Sequence, residues 1–302
     1  MTQPVVGFIG FGEAGFTIGS GLRSAGVQRI YAYDIAADWP DGGPLIRQRA
    51  HGCGAVLVDS PARLASVCDV LFSTVTCSSA LEAARQNAPH LTSRHLYADL
   101  NSVSPELKRE IAETIATSGA AFVEAAVMAP VHPQAHRVPM LLGGPAAARL
   151  VELMAPFGMR LDVLSGPVGT AAAVKMCRSI VVKGLEALLC ECVLGASRYG
   201  ADALVFASLD ESYPGIDWKK LADYTMRRVV VHGERRAREM EEVAATLRAI
   251  GVEPIMAEAT ARRQQWSAAL NLKAYFGPEG PDTYREVLEL LARDSRPDPV
   301  KA

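Results

Sequence analysis

Gly10-Phe11-Gly12-Glu13-Ala14-Gly15 follows directly on the apolar run Val5–Ile9 and opens a helical pattern over Ala14–Ser24. In that strand, turn and helix context Gly10 permits the tight turn, Gly12 lets backbone approach a pyrophosphate, and Gly15 lets the helix pack on the strand. Unpaired N–H groups at the helix N-terminus suit phosphate oxygens, so Gly10, Phe11, Gly12, Glu13, Ala14 and Gly15 are the phosphate-binding candidates. A second strand ends in Asp34, nineteen residues after Gly15. Its carboxylate suits the adenosine ribose hydroxyls and repels a 2′-phosphate. Ile35 and Ala36 follow it where an arginine would mark the phosphorylated cofactor, which favours NAD over NADP. Arg47 or Arg49 could still fold back from the next segment.

Lys175 interrupts a long apolar pattern, with Ser179 one turn on and Lys183 and Glu186 continuing roughly the same face. Two accounts fit this polar stripe. In one, Lys183 and Glu186 form an i,i+3 ion pair and Lys175 reaches the domain edge. In the other, Lys175 faces the cleft beneath a nicotinamide ring and passes a proton while a hydride moves to or from the substrate carbon.

These residues need elements to hold them, and the first half of the chain supplies a strand and helix alternation. Strands are expected at Val5–Ile9, Arg29–Asp34, Ala55–Val58, Val70–Val75, His95–Asp99, Phe122–Val127, Met140–Leu142 and Leu161–Leu164. Helical patterns lie at Ala14–Ser24, Pro61–Val67, Ser78–Ala88, Pro105–Thr117 and Ala146–Ala155, and Trp39–Pro44 reads as a turn-rich loop. From Val168 to Tyr199 no proline interrupts, so a helix about 45 Å long is expected. Being apolar nearly all round, it should be buried between domains or subunits. Further helices are expected at Ala201–Leu209, Trp218–Arg248, Met256–Leu270 and Pro281–Leu291. The fold class is therefore α/β, a doubly wound Rossmann-like domain over 1–165 followed by an all-helical domain over 166–302. A loose tail is expected after Asp294.

The 302 residues carry 31 Lys+Arg against 33 Asp+Glu, a formal charge of -2, and no basic run. That balance argues against a nucleic-acid partner. Six cysteines, Cys53, Cys68, Cys77, Cys177, Cys190 and Cys192, lie in apolar surroundings without CxxC pairing or zinc-type histidine spacing. They read as reduced core residues, and no metal site is expected. The start lacks basic residues before a short apolar run, and no stretch reaches membrane-spanning length. A cytoplasmic protein with no membrane partner is the expectation.

The segment 7–15, the stretch Asp99-Leu100-Asn101-Ser102-Val103-Ser104-Pro105 and the stretch Gly166-Pro167-Val168-Gly169-Thr170 through Lys175 together resemble the β-hydroxyacid dehydrogenase and phosphogluconate dehydrogenase superfamily. The resemblance spans about residues 5–199 in order and spacing. It implies an NAD(P)-binding domain feeding a long helix into an all-helical domain, usually in a dimer or tetramer, with Lys175 as the catalytic acid/base. Thr76 and Asn101 would border the ribose or nicotinamide.

Two departures bear on the substrate. The family's Asp-Ala-Pro-Val-Ser-Gly-Gly loop corresponds here to Glu124-Ala125-Ala126-Val127-Met128-Ala129-Pro130, so Met128 replaces a hydroxyl. The two asparagines that follow the family's lysine are Arg178 and Ser179. A pocket with an apolar wall from Met128 and Pro130 is expected. Arg178 reads either as an anion-binding residue or as a salt-bridge partner. Arg178-Ser179-Ile180 with Lys183-Gly184-Leu185-Glu186-Ala187-Leu188 resembles a less characterised branch of the superfamily with an uncharacterised type of C-terminal domain. The charged helix 231–242 needs no function if pairs such as Arg235–Glu239 and Arg238–Glu242 form a solvated face. The resemblance implies instead that His232 or Arg235 touches cofactor or substrate. The expected activity is hydride transfer between NAD and a hydroxyl-bearing small molecule. Imine reduction on the same architecture, or a cofactor-binding sensor without turnover, are the alternatives.

Overall fold

The computed structural model describes residues 3–294, so the expected loose tail lies outside the described residues. The first compact unit is Met1–Lys175 and the second Met176–Ala302. The division falls inside the long helix, ten residues beyond the domain boundary read from the sequence.

The first unit runs β1 (Val6–Ile9), α1 (Glu13–Ser24), β2 (Ile30–Tyr33), α2 (Gly43–Cys53), β3 (Val56–Leu57), α3 (Pro61–Val67), β4 (Val70–Ser73), α4 (Ala80–Asn87), β5 (Leu96–Asp99) and α5 (Pro105–Ala116). It continues through β6 (Ala121–Val127), α6 (Val131–Gln134), β7 (Met140–Gly143), α7 (Ala147–Met154) and β8 (Leu161–Val163) into the start of α8 (Thr170–Ser197). The strands form one sheet of eight in the order β3-β2-β1-β4-β5-β6-β7-β8, parallel except at β6 against β7. Side chains alternate across it. Val6, Phe8, Val70 and Phe72 join a core with Ile18, Leu22, Ile46 and Leu150, whereas Val5, Ile9 and Leu71 join Leu64, Ala84 and Ile111 on the other face. Helices therefore cover both faces, as parallel strands buried on both sides require.

Caps fix where the helices begin. Ser60 accepts from the Arg63 N–H at 3.3 Å and Ser104 from the Leu107 N–H at 3.2 Å, each just before a proline at the first helical position. The sequence reading missed α2. Pro44 in its first turn and Gly54 in the left-handed region just past its end were the available signals.

The second unit holds the rest of α8, then α9 (Asp202–Ser212), α10 (Trp218–Ala249), α11 (Ile255–Ala269), α12 (Leu272–Phe276) and α13 (Tyr284–Asp294). Its main core includes Leu189, Val193, Met226, Val229, Tyr284 and Val287. At Gly233 of α10, an added Cβ would lie 2.6 Å from the Gln264 carbonyl, so the glycine allows the close crossing with α11. On α8, Val181 is 70% exposed and Leu188 57% in the single chain, and Val174 is exposed on the same seven-residue spacing. The six cysteines are free, but Cys77 and Cys177 are exposed, contrary to the expected core placement. Burial pushes the Cys68 and Cys190 thiols up to about 12. Among the described residues, no helix is long and apolar enough to cross a membrane.

Candidate active site

The glycine turn joins β1 to α1, and each glycine meets a different constraint. Gly10 has φ +82°, and a Cβ there would lie 2.8 Å from Val75 and 2.9 Å from the Thr74 carbonyl. At Gly15 it would lie 2.7 Å from both the Gly10 carbonyl and Thr74 Oγ1, whose hydroxyl donates to that carbonyl at 2.7 Å. At Gly12 it would meet no atom within 4 Å. Gly12 is also the N-cap of α1 and offers no side-chain cap, so the first-turn N–H groups around Glu13 and Ala14 are left for an incoming anion. The open space and the uncapped helix end fit a dinucleotide pyrophosphate.

Asp34, at the end of β2, ties the turn to its neighbour. Its Oδ2 accepts from the Phe11 N–H at 2.7 Å and its Oδ1 from the Ala36 N–H at 2.9 Å. Each oxygen keeps a lone pair for a ribose hydroxyl. Arg47 donates to the Ala37 carbonyl, in the short turn that follows Asp34.

Further along the sheet, Asn101 follows β5 and is buried; its amide donates to Ser73 Oγ at 2.9 Å and to Asp99. Among the described residues its Oδ1 has no partner, leaving a buried acceptor open. Beneath it Lys108 forms a buried ion pair with Asp99 at 2.8 Å and also donates to the Asp99 carbonyl at 2.8 Å. The sequence reading did not single out Lys108, because on an amphipathic helix it looks like any surface lysine. Thr76 is exposed, bonded to Ser78 at 3.2 Å and Ser79 at 2.9 Å.

Lys175 Nζ donates to Ser102 Oγ, in the same β5–α5 loop as Asn101. The chain thereby brings together the lysine and the segment after Asp99. Met128 is half-buried and its N–H donates to the Pro139 carbonyl at 2.9 Å; Pro130 is exposed at the entry to α6. No hydrogen bond joins either residue to the glycine turn among the described residues.

In the second unit Arg178 is exposed and takes no ion pair among the described residues, while Ser179 is half-buried. The Lys183–Glu186 pair, one of the two accounts of the polar stripe, does not form. Lys183 instead pairs with Glu239 at 2.8 Å, and Glu186 pairs with Arg236 and accepts from Gln264 at 3.0 Å. Side chains from α10 and α11 outcompete the local spacing because Lys183, Glu186, Arg236 and Gln264 are buried and each needs a partner. On α10, Arg235 pairs with Glu239 as expected, but Arg238 pairs with Glu234 at 2.6 Å instead of Glu242. His232 is half-buried; burial, then the charges of Arg228, Arg235, Arg236 and Lys273, hold it down to about 4. Among the described residues, no group of three or more His, Cys, Asp or Glu side chains is arranged to hold a metal ion.

A doubly wound sheet with an uncapped glycine turn, followed by an all-helical region, defines a dinucleotide-binding protein of dehydrogenase type. Residues 5–159 match the family described as the NAD binding domain of 6-phosphogluconate dehydrogenase, and residues 196–267 match a domain of unknown function, DUF1932. The chain belongs to that 6-phosphogluconate dehydrogenase-type family. A conserved hypothetical protein from Sinorhizobium meliloti 1021 is 36% identical over 97% of both chains, with TM-score 0.82. MTH1747, a conserved protein of unknown function described as structurally similar to 3-hydroxyacid dehydrogenases, is 32% identical over 88% of this chain and 98% of its own, with TM-score 0.74. Mitochondrial 3-hydroxyisobutyrate dehydrogenase of Drosophila melanogaster is 25% identical over 70% of this chain. The match covers 64% of that enzyme, just under two thirds of its length.

Proposed function

We propose that the chain is an NAD-dependent oxidoreductase that interconverts a hydroxyl and a carbonyl group, with Lys175 as the acid/base. The observation that carries this reading is the bond from Lys175 Nζ to Ser102, which sets an amine beside the loop of the buried, open acceptor Asn101 Oδ1. When bound, the cofactor supplies the hydride acceptor or donor. Neutral Lys175 takes the hydroxyl proton as the carbonyl forms, and its ammonium returns that proton in the reverse direction. Gly10 to Gly15 hold the pyrophosphate and Asp34 the ribose hydroxyls, with Thr76 and Asn101 bordering the nicotinamide half. Arg178, exposed and without an ion-pair partner among the described residues, suits an anionic substrate group, and Met128 and Pro130 suit an apolar part. Ser179, His232 and Arg235 complete the proposed substrate set. The exposed apolar spacing on α8 supports a homodimer.

The test is a panel of 3-hydroxy acids, alcohols, aldehydes and cyclic imines assayed with wild type and Lys175→Met. Hydroxyl oxidation by the wild type should fall by about 100-fold or more in Lys175→Met, with NADH binding nearly intact. Unchanged turnover would refute the lysine assignment. Reduction of cyclic imines but not aldehydes would move the chemistry to imines, and cofactor binding without any turnover would leave a sensor. Tighter NADPH than NADH binding would overturn the NAD preference.

A further inference from the structure

The strand β6 reads Ala121-Phe122-Val123-Glu124-Ala125-Ala126-Val127, a single carboxylate inside an apolar run. Glu124 is fully buried. A buried carboxylate must find donors, and these come from a distant part of the chain. Its Oε2 accepts from the Gly169 N–H at 2.7 Å and its Oε1 from the Ala172 N–H at 2.6 Å.

Those two amides have a specific place in α8. With the helix starting at Thr170, Gly169 is the N-cap and Ala172 the third helical residue. In a capping box these two N–H groups are satisfied reciprocally by the side chains of the same two positions. Gly169 and Ala172 have no polar side chain to do so, and Gly169 at φ +102° sits where glycine is favoured. Glu124 alone therefore does the work of both halves of the box. The sheet makes room for it: Gly143 lies opposite Glu124 in the antiparallel β6–β7 ladder, and an added Cβ there would lie 2.6 Å from Glu124 Oε2.

We propose that Glu124 is a positioning residue for Lys175, resting on the reading of that lysine as the acid/base. Lys175 stands three residues beyond Ala172, one turn further along the helix that Glu124 clamps to the sheet. The clamp fixes where the helix starts, and so where Nζ meets Ser102. The carboxylate also offsets the positive end of the helix dipole, which opposes a cation near a helix start. Neither effect needs Glu124 to touch the substrate.

The test uses the full chain, and its first two readouts need no substrate. In Glu124→Gln the amide fills the same volume, but its NH2 group faces a backbone N–H it cannot accept from. Hydrogen exchange at Gly169 and Ala172 should accelerate. The pH midpoint for acetylation of Lys175 by acetic anhydride, read on the lysine-bearing peptide by mass spectrometry, should move lower because a nearby negative charge is gone. With any substrate the panel yields, kcat should fall by roughly 10- to 100-fold while the KM for the cofactor stays level, and Glu124→Asp should recover part of it. A folded Glu124→Gln protein with the wild-type labelling midpoint overturns the inference. Should that variant not fold, Gly143→Ala decides: it keeps the carboxylate but crowds it, and wild-type exchange at Gly169 and Ala172 would count against the clamp. Loss of turnover in Lys175→Met with full turnover in Glu124→Gln defeats the clamp alone. Full turnover in Lys175→Met defeats the lysine reading itself, whatever Glu124 does.

Discussion

His232 lies among Arg228, Arg235, Arg236 and Lys273, which with its burial hold it down to about 4. Its unfolded value is about 6.5, so the unfolded chain binds a proton that the folded chain refuses between those two values. This contribution to stability is complete above the unfolded value and is lost as pH falls through the folded one. The unfolding temperature should therefore drop between neutral pH and pH of about 4.5, and His232→Gln should show a smaller drop in a thermal melt. An equal drop in both proteins would show that His232 does not supply this acid sensitivity. The helix of His232 was legible in the sequence, but its surroundings were not, because Lys273 stands some forty residues away. Glu124 was hidden for the same reason, whereas Lys108, nine residues from its partner Asp99, was hidden because it looks like any surface lysine on an amphipathic helix. Glu124 was visible as a charge inside a strand, yet its donors at Gly169 and Ala172 follow two further strands.

At the scale of elements the glycine turn separates what folding needs from what a ligand needs. Gly10→Ala places a methyl against Thr74 and Val75 at positive φ and should lower both the unfolding temperature and NADH affinity. Gly12→Ala meets open space, so the melt should hold while NADH affinity falls by about tenfold or more. A titration by cofactor fluorescence beside the melt checks both; a Gly12→Ala protein with unaltered affinity would remove the pyrophosphate assignment. The eight strands were readable because each is a short apolar run closed by turn residues. α2 was not, since its buried face is made of Gly43, Ile46, Ala50 and Cys53, with Ile46 its one large apolar side chain, and reads weakly beside Pro44 and the polar run Arg47, Gln48 and Arg49. The partner choices of Lys183 and Glu186 also escaped the sequence, since a local i,i+3 spacing cannot weigh Glu239, Arg236 and Gln264.

For the whole molecule, Val174, Val181 and Leu188 recur every seven residues on α8 and stay exposed in one chain. A twofold interface presents the same patch to itself, which suits such a stripe. Changing Val181 and Leu188 together to Glu should convert the protein to monomer in sedimentation velocity, with helical content retained; a wild type that is already monomeric at micromolar concentration would reject the dimer. The order of a sheet-based unit followed by helices was legible, and the first turn of α8 is bonded to β6 and so stays with the sheet. One contact carries a lesson for engineering. Gly21, near the end of α1, has no side chain because the ring of His136 occupies that space, and His136 closes the loop that begins at Met128 and Pro130. A graft that exchanges this loop for a relative's should leave Ala135–Arg137 in place, or bring the partner of Gly21 with it.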